Sequence, residues 1–145
     1  MAARYFSSGV LTTNTTINEA TWELIAGAQG VRVFEIGVAL NAATASLFGL
    51  GRPAAIGVTP TSPVALAAES DNGVAALTKT ALAWGTKPTA PSVSYLRRFG
   101  LPAEVGRNVV WTFGPSGLYI PAASSVVLFN LAANSALNVW ARISE

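Results

Sequence analysis

The sequence runs to 145 residues without a cysteine or a histidine, which suits one domain with a buried core and argues against thiol chemistry, disulfides and histidine-based catalysis or metal binding. Only 11% of the residues are charged against 51% hydrophobic, where about 25% charged is usual, so much of the surface is expected to lie against copies of the chain or a partner. The net charge of +2 comes from nine basic and seven acidic residues, and only Arg97 and Arg98 are adjacent, which argues against a nucleic-acid-binding stripe.

Period-two alternation dominates the chain, and helical periodicity is weak. Met1–Val10 lacks the apolar region and cleavage site of a signal peptide. The stretch Arg4-Tyr5-Phe6-Ser-Ser-Gly-Val10-Leu11 is apolar and has no evident partner nearby in sequence. Residues 1–13 are therefore expected to form an arm that contacts another chain, with Tyr5 and Phe6 in the contact. Asn18–Ala26 carries two patterns. Asn18 and Gly27 fit helix caps, while Ala20, Trp22 and Leu24 alternate with Thr21, Glu23 and Ile25. A strand is favoured because the neighbouring runs are strands. Val31–Leu40 is one such run, with Phe34, Ile36, Val38 and Leu40 on one face.

Gly49-Leu50-Gly51-Arg52-Pro53-Ala54 fits G-x-G-x-x-A, the turn that holds a dinucleotide pyrophosphate, and Glu69 or Asp71 stands at about the acidic position. Such a turn must open a helix. After Pro53 come Gly57, Thr59, Pro60 and Pro63, which allow none. The glycines are better explained as a bend or tight packing in a strand, so no cofactor is expected. Arg52 then sits at a loop end, free to contact a neighbouring subunit.

Thr59-Pro60-Thr61-Ser62-Pro63 reads as a turn. Asp71-Asn72-Gly73 is a hairpin cue between two short arms, Val64–Ala68 and Val74–Lys79. Residues 86–92, with Pro88 and Pro91, form an extended surface connection. Tyr95-Leu96-Arg97-Arg98-Phe99 alternates aromatic, apolar and basic residues. It is expected to offer Tyr95, Arg97 and Arg98 to acidic or carbonyl groups of a partner protein. Further strands follow at Asn108–Phe113 (Val109, Trp111 and Phe113 on one face) and Ser125–Leu131 (Val127, Phe129, Leu131). The last run carries Leu137, Val139, Ala141 and Ile143, with turn signals at 114–117 and at Asn134-Ser135. Trp140 falls on the face opposite Val139 and Ile143, which points to an interface and not to the core. Val126–Ala141, the longest apolar candidate for a membrane span, is cut by Asn130, Asn134, Ser135 and Asn138. Many short strands at this spacing predict an all-β fold, an antiparallel β-sandwich of jelly-roll type.

The acids are Glu19, Glu23, Glu35, Glu69, Asp71, Glu104 and Glu145, and none forms a catalytic pair. Glu19 and Glu23 read as a solvated edge or capping pair, and Glu35 as an outward residue beside an arginine. No serine occupies a nucleophile elbow. Catalytic, cofactor and metal residues are therefore all expected to be absent. The four tryptophans leave a sugar-binding module open as an alternative.

Trp111-Thr-Phe-Gly-Pro-Ser-Gly-Leu-Tyr-Ile-Pro-Ala-Ala-Ser-Ser125 leads into an apolar strand ending in Asn130-Leu131, an Ala-Asn-Ser turn and a final alternating strand that stops at Glu145. With Gly49–Gly57 and Thr59–Pro63, this pattern resembles small structural proteins of tailed bacteriophages, of the capsid decoration or cement type, over residues 31–145. The resemblance implies a jelly-roll β-sandwich added to the outer surface of an icosahedral head. It implies a virion component made in the host cytoplasm, with the major capsid protein and its own copies, often three, as partners. A shell-forming coat protein or a tail or fibre component is the nearest alternative.

Overall fold

The computed structural model describes residues 3–14, 16–69, 74–132 and 136–145. Among these there are fourteen strands and no helix. In chain order the strands are β1 (Tyr5–Thr13), β2 (Glu19–Ile25), β3 (Val31–Leu40), β4 (Ser46–Gly51), β5 (Val58–Thr61), β6 (Val64–Ala65) and β7 (Ala67–Ala68). They continue as β8 (Lys79–Ala81), β9 (Ala83–Thr86), β10 (Arg97–Leu101), β11 (Asn108–Thr112), β12 (Leu118–Ile120), β13 (Ser125–Asn130) and β14 (Ala136–Ser144). All pairings are antiparallel.

The first six-stranded sheet has the order β11-β3-β14-β1-β7, with β12 also on β3; the second has the order β10-β4-β13-β2-β8-β6. A small two-stranded sheet joins β5 to β9. The two large sheets share one core. Val33, Ile36, Val38, Leu137, Val139 and Ile143 come from the first; Trp22, Leu24, Phe48, Leu50, Val126 and Leu128 come from the second. Burying each such side chain fully contributes about 1.5–3 kcal/mol. The accessible surface of 6891 Å² matches the ~7,000 Å² of a compact monomer of this mass.

The alternation in β14 works as the sequence predicts: Leu137, Val139, Ala141 and Ile143 are buried, and Asn138 and Arg142 are exposed. Within Asn18–Ala26, Glu19–Ile25 is a strand, as favoured. Asn18 is a turn residue at φ 64°, a conformation asparagine tolerates, and not a helix cap. The 114–117 turn closes with Gly117 N–H donating to the Gly114 carbonyl at 3.2 Å.

Several expectations need correction. Tyr5–Thr13 pairs residue for residue with β14, from Tyr5 opposite Ser144 to Thr13 opposite Ala136. The partner strand lies at the far end of the chain, so proximity in sequence could not reveal it. Phe34 does not share a face with Ile36, because it is the extra residue of a bulge in β3, between partners Val33 and Glu35. Its ring packs against Tyr5 at 6.1 Å instead. A bulge re-phases the alternation, so Val31 and Val33 face inward on one side of it, and Ile36, Val38 and Leu40 on the other.

In β13, Val126 and Leu128 line the main core. Val127 and Phe129 belong to a second cluster with Ala20, against which Trp84, Tyr95 and Leu131 pack. β13 is therefore buried on both faces. Among the described residues the two arms around 71–73 pair only at their outer ends, where β6 runs antiparallel to β8 with Ala65 opposite Lys79, while β7 crosses to the other sheet and pairs with β1. The turns expected at Asp71-Asn72-Gly73 and at Asn134-Ser135 lie outside the described residues.

Candidate functional site

The residues expected at an interface do not converge on one place. Phe6 is only 2% exposed and belongs to the main core, so the expectation that it contacts a partner is overturned. In β1, Phe6 points inward and Tyr5 outward, as strand alternation requires. Tyr5 lies half-buried under Arg142, whose guanidinium carbon stands 4.8 Å from the ring centroid. Arg52 is half-buried, and its Nη2 donates to the Tyr119 carbonyl at 2.7 Å. It is therefore tied within the chain and not free at a loop end.

Trp140 lies on the outer face of the first sheet, as predicted. Its indole lies across Gly37, where an added Cβ would stand 2.0 Å from Cε2 and Cζ2. Its Nε1 donates to Glu35 Oε1 at 2.9 Å. Glu35 does face outward, but its partner is this indole and not an arginine. The residue opposite, Arg142, turns to Glu69, with Nε 3.1 Å from both carboxylate oxygens. The Ser7 hydroxyl also donates to Glu69. That bond, and then Arg142, hold the Glu69 carboxyl below its ordinary 4.5, against an opposing push from burial. Glu19 is likewise lowered, chiefly by its hydrogen bond to Lys87. Nothing local in the sequence marks the Ser7–Glu69–Arg142 group, whose members are far apart in the chain.

Gly49 and Gly51 do serve tight packing. An added Cβ would stand 2.7 Å from Tyr95 Cδ1 at Gly49, and 2.7 Å from Pro91 Cγ at Gly51. The G-x-G-x-x-A match thus reflects a central strand over which the 91–95 segment lies.

Glu23 is fully buried, contrary to the expectation of a solvated pair with Glu19. It accepts hydrogen bonds from Trp84 Nε1 at 2.6 Å, Ser125 Oγ at 2.6 Å and Gly57 N–H at 3.2 Å. These bonds fasten the two-stranded β5–β9 sheet to the second sheet.

Tyr95, Arg97 and Arg98 are brought together at one edge of the second sheet. The Arg97 guanidinium stacks on Phe113 at 5.4 Å and Arg98 on Tyr95 at 5.9 Å. Phe99, in the same strand, is 43% exposed.

All six acidic side chains among the described residues have donors inside the chain: Glu19, Glu23, Glu35 and Glu69 as above, Glu104 from Arg107, and Glu145 from Thr78 and the Leu77 N–H. Lys87, Arg107 and Arg142 are the bases with carboxylate partners. The other six of nine (Arg4, Arg32, Arg52, Lys79, Arg97, Arg98) pair with no described carboxylate. A cleft of about 300 Å³ includes Arg4, Arg32 and Tyr119 in its lining. No cluster of three potential metal-ligating side chains occurs among the described residues. No helix there is long and apolar enough to cross a membrane.

No protein-family model, no curated protein and no solved structure matches this chain.

Proposed function

We propose that this chain is a non-enzymatic structural protein of a virion, a jelly-roll β-sandwich that decorates the outer surface of an icosahedral capsid and bridges coat subunits. The observation that carries the reading is strand order. Leaving aside the short strands, the chain doubles back on itself: β1 pairs with β14, β2 with β13, β3 with β11 and β4 with β10. The sheets then read β11-β3-β14-β1 and β10-β4-β13-β2. This order supports reading the chain as two Greek keys wrapped into a jelly roll, an architecture common among viral capsid domains and lectins.

A fold does not name a function, and the surface supplies the rest of the support. The polar network around Glu23 is committed to holding the small β5–β9 sheet, and the exposed large residues include Leu11, Ile17, Val58, Val93 and Val105. Covering such residues at a seam contributes roughly 25 cal/mol per Å² of apolar area, less the costs of association. Many copies on one lattice then act together through multivalency. The partners in this reading are the major capsid protein and the chain's own copies, three favoured. It is made in the host cytoplasm, and nucleic acid, membrane and cofactor have no part.

The test is add-back. Light scattering across concentration gives the mass of the free protein, and co-sedimentation with capsids lacking it gives saturable binding and added resistance to heat. A small closed oligomer that binds capsids supports the proposal. Large uniform particles from the chain alone would make it a coat protein, and failure to bind capsids would overturn the proposal. One observation favours a second reading: the Trp140 indole is held flat over Gly37 by Glu35, the posture of an aromatic that stacks on a sugar ring. Glycan-array binding lost in Trp140→Ala would support that module instead.

A further inference from the structure

The two large sheets end differently at their two sides. On one side they finish in β6 and β7, two residues each, which is how natural sheets blunt an edge. On the other side the second sheet ends in β10, five residues long, four of them exposed. β10 has a neighbour on one side only, β4. Among the described residues its backbone bonds go to β4 alone. The backbone groups on its other side are open to pairing.

The side chains at this edge carry a charge pattern. Successive residues of a strand point to opposite faces. Arg97 and Arg98 therefore stand on the two faces of the sheet, one over Phe113 and one over Tyr95. Neither pairs with a described carboxylate, and the six described acids have their donors elsewhere in the chain. Stacking on aromatic rings fixes a guanidinium; Arg97 Nη1 donates to the Leu96 carbonyl at 2.8 Å, and the other N–H groups of its fork remain to bind a carboxylate.

We propose that β10 is a strand-addition site for an extended, acidic segment of a partner protein. The segment pairs its backbone with Arg97–Leu101, and carboxylates on two adjacent residues meet Arg97 on one face and Arg98 on the other. Cross-strand neighbours lie about 4.5–5.5 Å apart at Cβ, within reach of such pairs. Backbone pairing supplies affinity and alternate side chains supply choice. A second copy of β10 does not fit, because Arg97-Arg98-Phe99-Gly100-Leu101 brings two more cations and no acid. Gly100 adds no side chain to the edge. This inference stands on the edge geometry and does not depend on a virion role.

The probe is a short capped peptide of threonine and valine with two adjacent central glutamates, alongside a counterpart with two lysines. Binding is read by fluorescence anisotropy, and its location by amide hydrogen exchange. The acidic peptide is expected to bind at least tenfold more tightly than the basic one, with exchange slowed at 97–101. The R97E/R98E variant should reverse the preference, and its capture of the lysine peptide shows that it is folded. Equal binding of both peptides, slowing confined to another strand, or no binding of the acidic peptide at millimolar concentration would each overturn the proposal. In that last case the arginines serve only to guard a bare edge against aggregation.

Discussion

Replacing Glu23 tests whether one buried carboxylate holds the two-stranded β5–β9 sheet on the second sheet. In Glu23→Ala the Ser125 hydroxyl and the Gly57 N–H lose their acceptor in places water does not reach. Each orphaned buried donor costs about 1–3 kcal/mol. Trp84 is half-buried, so solvent can compensate its Nε1 in part. Removing a carboxylate from the interior returns some of its desolvation cost. The net expectation is a loss of about 3 kcal/mol, a large share of the roughly 5–15 kcal/mol that holds a domain together. Glu23→Gln keeps one carbonyl acceptor but turns an amide N–H₂ toward a donor, for a loss of ~1–2 kcal/mol. Urea unfolding gives the totals. Amide exchange gives the location: Val58–Thr61 and Ala83–Thr86 should open at lower free energy than β3 or β14, as a separate cooperative unit. A loss under about 1 kcal/mol in Glu23→Ala, or equal acceleration in both large sheets, would refute the reasoning.

Three other outcomes are expected. Gly37→Ala drives the Trp140 indole off its seat and breaks its bond to Glu35, for about 2 kcal/mol; in a Trp140→Ala background the same change should become neutral or stabilise by ~0.5 kcal/mol, since alanine outranks glycine in a strand, and an equal cost in both backgrounds would count against the contact. Phe6→Ala should cost about 3–5 kcal/mol as a core truncation, with the same dependence of urea midpoint on protein concentration as wild type; a dependence present in wild type and lost in the variant would return Phe6 to an interface. Because the folded Glu69 carboxyl sits below its ordinary 4.5, its contribution is complete above that pH and is lost as pH falls through the lower folded value. Glu69→Gln should therefore flatten the acid limb of stability against pH below about 4.5 by on the order of 1 kcal/mol or less, given the exposure of Arg142.

Strands were legible where one face is buried and the other wet. β14 alternates cleanly because its outer face carries Asn138 and Arg142. Legibility failed where tertiary structure changes the rule. The bulge at Phe34 inserts one residue and flips the phase, and nothing local in Val31–Leu40 marks it. β13 is covered on both faces, so its continuous apolar run could not say which face meets the main core. Arg97 and Arg98 could be singled out because they are adjacent in sequence, and their aromatic seats follow from the same run and from Phe113. The Glu23 and Glu69 groups could not be read, since each joins residues brought together only by strand pairing.

The scarcity of charge, first taken to mean a covered surface, divides into two physical parts. One part is internal. The second cluster buries Val127 and Phe129 beneath Trp84, Tyr95 and Leu131, so the outer face of the second sheet consumes apolar residues that a two-layer protein would replace with charged ones. The outer face of the first sheet sets Val110, Gly37, Trp140 and Gly9 in one row across four strands, with open space above Gly9 among the described residues. The other part is electrostatic. The net charge of +2 is unevenly placed: three bases are ion-paired, while six cations face no described carboxylate. Any protein that docks here meets cations and carbonyl groups, and acidic partners are favoured before any contact is made. Association that depends on this field should slow as salt rises.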